Sequence, residues 1–191
     1  MELDALYSNR YFDTVLLRGR KDAEAFAGAL IDQYEPSYVV DLGCGVGRFI
    51  QPLHASGVDV YGVDGSAYAV SNPLDEDLSL DRHDLTEPLR LDREADVALC
   101  IEVLEHLPAE SARTAIESIR DAAPVAIVTA AQPGQGGDYH VNERPREYWI
   151  DEFEAVGMTY DDGDVEFLRL HTEAAELEWL TDNLMVLRRT D

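Results

Sequence analysis

Val39-Val40-Asp41-Leu42-Gly43-Cys44-Gly45-Val46-Gly47-Arg48-Phe49 is the stretch around which the chain is organised. Pro36-Ser37 interrupts what precedes it, Tyr38 to Leu42 form a short β-rich apolar run that carries an acid, and three alternate glycines follow before a helical pattern begins. This order predicts a strand, a tight turn and the start of a helix. Glycines at 43, 45 and 47 remove β-carbons that would hold a ligand off the backbone, and a helix opening near Gly47 would offer unpaired N–H groups to an anionic group. A nucleotide-like cofactor suits such a turn. The dinucleotide fingerprint G-x-G-x-x-G would require a glycine at 48, where Arg48 stands, so the spacing favours a cofactor other than nicotinamide or flavin.

Outward from this turn the pattern alternates. From Ala23 through Tyr34, apolar residues at 23, 26, 27, 30, 31 and 34 mark a helix face that should cover a sheet. After the turn, Val58 to Val63 read as a second strand ending at Asp64, 21 positions after Gly43. An acid there is placed to accept two hydrogen bonds from ribose hydroxyls, a demand common to adenosine cofactors. Gly65-Ser66 then lead into a short helix that stops before Pro73, and Leu78 to His83 form a poorer third strand. Asp96 to Ile101 give the clearest buried strand. Ala112, Ala115, Ile116 and Ile119 make a helix face that Pro124 ends, and Val125 to Thr129 form strand five. Strands alternating with helices imply a parallel sheet covered on both faces.

The motif Asp41-Leu42-Gly43-Cys44-Gly45-Val46-Gly47 resembles the first motif of the class I S-adenosylmethionine-dependent methyltransferases, and later motifs of that family recur in order over nearly the whole chain. The resemblance implies an α/β, Rossmann-like, doubly wound seven-stranded sheet of order 3-2-1-4-5-7-6 with strand 7 antiparallel. It implies a single domain over 1–191, residues 1–35 forming a helical cap and 36–191 the core. S-adenosyl-L-methionine is the implied cofactor, held by Asp41, Gly43, Cys44, Gly45, Gly47, Asp64, Gly65 and Ser66. The same resemblance implies that Asp84 accepts from the adenine amine and that the backbone of Leu85 meets the ring. Glu102-Val103-Leu104-Glu105-His106-Leu107-Pro108 resembles the fourth motif, with Glu102 beneath the cofactor and the loop opening toward an acceptor. Tyr7 to Asp13 are similar to an N-terminal segment that many relatives fold over the cofactor.

Residues 131–142, rich in glycine and bearing His140, follow strand five, and loops at that end of a parallel sheet shape ligand pockets. Arg144 to Trp149 open a helix whose positions 149, 150, 153 and 156 face inward and which Gly157 closes. Met158 to Asp161 and Leu184 to Arg188 read as strands six and seven, with a helix around Glu173 to Leu180 between them. In relatives that last pair is a β-hairpin.

A sulfonium donor is already an activated methyl carrier, so the protein must align the reactants and remove a proton where the acceptor carries one. His106 and His140 are the candidate catalytic bases. His54, His83 and His171 read as surface or packing residues. Glu102, Glu105, His106 and His140 also resemble the ligand set of the metal-dependent methyltransferases that modify the 3′ ends of small RNAs. Metal independence is the expectation, because Glu-x-x-Glu-His also occurs in metal-free small-molecule relatives. The reading is therefore methyl transfer to an O or N atom of a small-molecule acceptor. The alternatives are a metal-assisted RNA 2′-O-methyltransferase and a non-catalytic nucleotide-binding regulatory module.

Composition narrows the partners. With 191 residues and 46% hydrophobic content the chain suits one soluble domain. Its formal charge is -24, from 39 acidic against 15 basic residues, and Lys21 is the only lysine. Such an acidic excess predicts a halophilic cytosol, where concentrated salt screens self-repulsion. No Lys/Arg cluster offers a footprint for nucleic acid. The start lacks a basic segment with an apolar core, and no apolar run approaches the roughly 18 residues of a membrane span, so a cytoplasmic setting is expected. Cys44 and Cys100 match no metal or redox spacing and read as buried reduced thiols.

Overall fold

The computed structural model describes residues 20–172 and 178–190. Tyr7 to Asp13 lie outside these. Seven strands form one sheet of order β3-β2-β1-β4-β5-β7-β6. They are β1 (Tyr38–Leu42), β2 (Asp59–Asp64), β3 (Ser79–Arg82), β4 (Val97–Ile101), β5 (Val125–Thr129), β6 (Met158–Tyr160) and β7 (Met185–Arg189). Strands β3, β2, β1, β4 and β5 pair in parallel, and β7 runs antiparallel to both β5 and β6. The order and the antiparallel strand are those anticipated from the sequence.

Successive side chains point to opposite faces and both faces are covered, so the central strands are buried along their whole length. One face carries Val40, Leu42, Ala98, Cys100, Ala126, Val128, Met185 and Leu187. Helices α4 (Ala109–Ala122) and α5 (Arg146–Glu154) cover it, with Ile116, Ile119, Trp149 and Phe153 fully buried. The other face carries Val39, Val60, Val97, Leu99, Ile127 and Val186. Against it pack α1 (Arg20–Tyr34), through Phe26 and Leu30, and α6 (Asp162–Thr172), through Val165 and Leu168. The buried carboxylate of Asp164 joins these two helices to the sheet. It accepts from Tyr34 Oη at 2.9 Å and pairs with the Arg188 guanidinium of β7.

Three local expectations change. The helix anticipated at Gly47 begins only at Gln51, as the short α2 (Gln51–Ala55), because Gly47 itself has φ 88, which no α-helical residue can adopt. Its N–H is not free either, since it donates to Cys44 O at 2.9 Å. Strands β6 and β7 are adjacent but do not form a hairpin. The chain leaves β6 into α6, which was not anticipated, and returns through α7 (Glu178–Asp182); of the helix expected around Glu173 to Leu180, residues 173–177 lie outside the described ones and 178–180 fall in α7. Asp162 and Asp164 in the first turn of α6 and Arg169 and His171 in its last complement the helix dipole.

The remaining short helix, α3 (Ala67–Ser71), opens where the sequence placed it, with Ser66 Oγ accepting from Ala69 N at 3.3 Å. Cys44 and Cys100 are free and buried, as anticipated, and burial pushes both thiols well above their usual range. Among the described residues no helix is long and apolar enough to cross a membrane.

Candidate active site

Register alone brings the first group of predicted residues together. Leu42 lies opposite Val63, and Asp64 opposite Arg82, so the turns after β1, β2 and β3 open at one edge of the sheet. Gly43, Gly45 and Gly47 have φ values of 91, 55 and 88. At Gly43 the requirement is doubled, since a β-carbon would stand 2.3 Å from Val103 Cγ2. Asp64 closes the turn from the neighbouring strand: Gly45 N donates to Oδ2 and Ser66 N to Oδ1, each at 2.8 Å. Burial raises the Asp64 pKa while these two N–H groups lower it. Each oxygen keeps a further acceptor site, which suits a vicinal diol.

Asp41, beneath the same turn, is buried, and burial followed by the nearby Asp64 pushes its pKa up to about 8. Its Oδ1 has no hydrogen-bond partner among the described residues. Donors from a bound cofactor would meet both unsatisfied needs, so the residues present fit an adenosine-bearing amino-acid cofactor. Asp84 and Leu85 follow β3 and stay beside this edge through the bond from His83 N to Asp64 O at 3.0 Å. Asp84 is exposed, and its Oδ1 accepts from the N and Oγ1 of Thr86, at 2.9 and 2.8 Å. Leu85 is buried.

A second group assembles after β4 and β5. Glu102 leaves β4 with φ 54, a left-handed conformation that costs about 1–2 kcal/mol in a residue with a side chain. Thr129 holds it there, accepting the Glu102 N–H on both O, at 3.1 Å, and Oγ1, at 2.9 Å. A single 3-10 turn, Leu104–His106, follows, and the Glu105 carbonyl accepts from both Val141 N and Asn142 N, at 2.9 and 3.0 Å. These two bonds draw the loop after β5 onto the turn after β4. Acceptable ligand atoms of Glu105, His106 and His140 thereby come within 4.8 Å of one another.

The electrostatics of the group are uneven. Glu105 is fully buried, and burial first, then the neighbouring Glu102 carboxylate, pushes its pKa far above the usual carboxylate range. It holds its proton at neutral pH. Burial and then His140 press the His106 pKa down to about 4, so that ring stays neutral. The two rings meet edge to face with centroids 4.8 Å apart. Glu102 follows β4 directly, as expected. Its carboxylate is taken by Asn183 Nδ2 at 3.0 Å and Gln135 Nε2 at 2.8 Å, on the side of β5 and β7.

Glu143 had no place in the sequence reading. It accepts from Gly134 N at 2.9 Å and Gly136 N at 3.2 Å, and those bonds, with His140, hold its carboxyl below the usual range. Its Oε1 lies 3.0 Å from His140 Nδ1. A carboxylate at Nδ1 keeps a proton there and leaves the lone pair on Nε2. Gly137 makes room for that end of the ring, since a β-carbon on it would come 2.3 Å from Nε2. The only sequence signal was a carboxylate three residues after a histidine in a glycine loop.

A family model described as a methyltransferase domain matches residues 10–180. Three solved structures are similar over most of the chain. Magnesium protoporphyrin IX methyltransferase from Synechocystis PCC 6803, with bound S-adenosylhomocysteine, is 18% identical, with coverage of 90% of this chain and 83% of that one and a TM-score of 0.65. CalS10, an amino pentose methyltransferase from Micromonospora echinaspora with bound S-adenosylmethionine, is 17% identical, with coverage of 97% and 98% and a TM-score of 0.68. The sugar N-methyltransferase KedS8 from Streptoalloteichus sp ATCC 53650 is 14% identical, with coverage of 89% and 87% and a TM-score of 0.68. At these identities the likeness establishes the fold. No curated protein matches the sequence.

Proposed function

The chain belongs to the methyltransferase-domain family and is an S-adenosylmethionine-dependent methyltransferase, and we propose that its acceptor is a small molecule methylated on oxygen or nitrogen. The observation that carries this reading is the position of the two groups along one sheet edge: the glycine turn with Asp64 after β1 and β2, and the Glu105–His106–His140 group after β4 and β5. Asp41, Gly43 to Gly47, Asp64 to Ser66, Asp84 and Leu85 would hold the cofactor. When bound, it supplies a methyl group on a sulfonium, a carrier that leaves as a thioether.

The chain's own residues then have to bind, orient and take a proton. His140 is the base in this reading, because Glu143 fixes its Nδ1–H and leaves Nε2 with the lone pair. His106 is held neutral and shapes the wall beside it. Glu105 keeps its proton and excludes water beneath the two rings. Supporting a small acceptor are the acceptors named for the similar proteins, a porphyrin and sugars. The charge of -24 speaks against a polyanionic one. The same charge and the single lysine support a cytoplasm of high salt as its setting. Screening metabolites for label transferred from methyl-labelled cofactor tests the reading. Transfer to RNA with none to any small molecule would replace it.

A metal-assisted reading has one observation in its favour, the approach of Glu105, His106 and His140 to within 4.8 Å. We favour the metal-free reading because the fourth residue of that set, Glu102, already has its carboxylate held by two amide donors.

A further inference from the structure

A cavity of about 550 Å³ lies beyond the end of β5, where the loop after β5 meets α5, α6 and α7. That volume falls within the roughly 300–1,000 Å³ of small-ligand sites. Its wall residues differ by depth. Gln132, Arg146, Arg169 and Thr181 are half-buried, whereas the two acids, Glu147 and Asp182, are exposed at the rim. The interior is therefore lined by donors and cations in a chain that carries 39 acidic residues.

The two guanidiniums are prepared differently. Arg169 is anchored, with Nε donating to Thr181 O at 2.8 Å and Nη2 to Asp182 O at 3.5 Å, which leaves Nη1 uncommitted by those bonds. Arg146 makes no hydrogen bond and no ion pair among the described residues. Its counterparts elsewhere do: Arg113, Arg120, Arg188 and Arg189 are each held by a carboxylate. A half-buried guanidinium left single amid so many acids retains its five donors for something else. Arg146 and Arg169 both line this one cavity, from α5 and α6 respectively.

A polar route joins this cavity to the reaction edge. Gln132 Nε2 donates to Asn183 Oδ1 at 3.2 Å, and Asn183 Nδ2 donates to Glu102 Oε1 at 3.0 Å. We propose that the cavity receives an anionic group of the acceptor, a carboxylate or a phosphate, between Arg146 and Arg169, so that the substrates are acidic small molecules. Planar forks of this kind suit either anion in bidentate fashion. The proposal rests on the small-molecule reading above for its meaning, but the anion site stands or falls by itself.

The test uses the full chain, labelled with nitrogen-15, in a fixed concentration of potassium chloride. Inorganic phosphate in one arm and succinate in the other are titrated while the arginine Nε–H signals are followed, with Arg146→Gln and Arg169→Gln supplying the assignments. Saturable movement of both signals with at least one anion is expected. Arg146→Gln should weaken that binding by about tenfold or more, the loss of one charge-assisted contact. Among the described residues the Arg146 side chain makes no other hydrogen bond or ion pair, so the variant should keep its melting temperature and its affinity for S-adenosylmethionine. The arm that saturates first identifies the group. No saturable movement in either arm, or equal affinity in wild type and Arg146→Gln, overturns the proposal. Loss of cofactor binding in the wild type would instead strike the methyltransferase reading and leave the anion result standing.

Discussion

Val103 occupies the space that a side chain on Gly43 would need: a β-carbon there would stand 2.3 Å from Val103 Cγ2. The turn after β1 and the turn after β4 are thus packed against each other with no tolerance for an added methyl group. Gly43→Ala meets both this clash and a φ of 91. It should lose at least about 1–2 kcal/mol from the backbone alone and weaken cofactor binding by displacing Glu102-Val103. Melting temperature and calorimetric affinity in one buffer check this, and a variant unchanged in both would refute the packing argument.

Asp64→Ala removes the acceptor for Gly45 N and Ser66 N as well as the proposed diol contact. Two charge-assisted bonds at about 1.5–3 kcal/mol each set an expected loss of at least about a hundredfold in S-adenosylmethionine affinity. Asp64→Asn, which can keep one acceptor, should fall between. Titration calorimetry with the cofactor and with its demethylated product measures it.

The buried acids fix a direction for the pH dependence of stability. Glu105 and Asp41 have folded pKa values above their unfolded ones, so the stability they contribute is complete below the unfolded values, 4.5 and 3.8, and is lost as pH rises through the folded ones. Melting temperature should therefore decline from about pH 5 toward pH 9. Glu105→Gln, which cannot ionise, should decline less steeply, and parallel curves would show that Glu105 is ionised in the fold.

His106 should remain neutral at pH 5, and the His140 nitrogen that bonds Glu143 should be Nδ1. Long-range nitrogen-15 spectra of the labelled histidines distinguish the tautomers directly. A His106 that titrates near pH 6.5 would place it in water instead of beneath the loop. The same preparation answers the metal question by elemental analysis. We expect no stoichiometric divalent metal, and a full equivalent lost together in Glu105→Ala and His140→Ala would reverse that choice.

Salt should govern folding. With a charge of -24 on one domain, the Debye length of about 30 Å in dilute buffer leaves the carboxylates in mutual repulsion, and molar salt cuts it to about 3 Å. Circular dichroism should show structure lost in dilute buffer and regained in molar potassium chloride. Equal melting temperatures in the two would remove the high-salt assignment.

What could be read beforehand follows from periodicity and from backbone demands. The strands and the glycine turn were legible because alternation and positive φ leave marks in the residues themselves, whereas the strand order followed from the family resemblance. The partners of Glu102 were not, since Asn183 lies 81 residues away and meets it only because β7 inserts beside β5. Glu143 escaped notice for the opposite reason, a contact so local that nothing distinguished it from a solvated loop acid. The late start of α2 shows propensity yielding to a single dihedral at Gly47.

The excursion from β6 through α6 and α7 to β7 supplies Arg169 and Thr181 to the cavity wall, while both of its ends are pinned to the sheet. Val165, Leu168 and the buried Asp164 fix α6 to the sheet, and Asn183 at the far end of the excursion holds Glu102. On the proposal above, recognition of the guest is shared between this excursion, through Arg169 and Thr181, and α5, through Arg146, so transplanting the excursion alone would carry only half of the anion site.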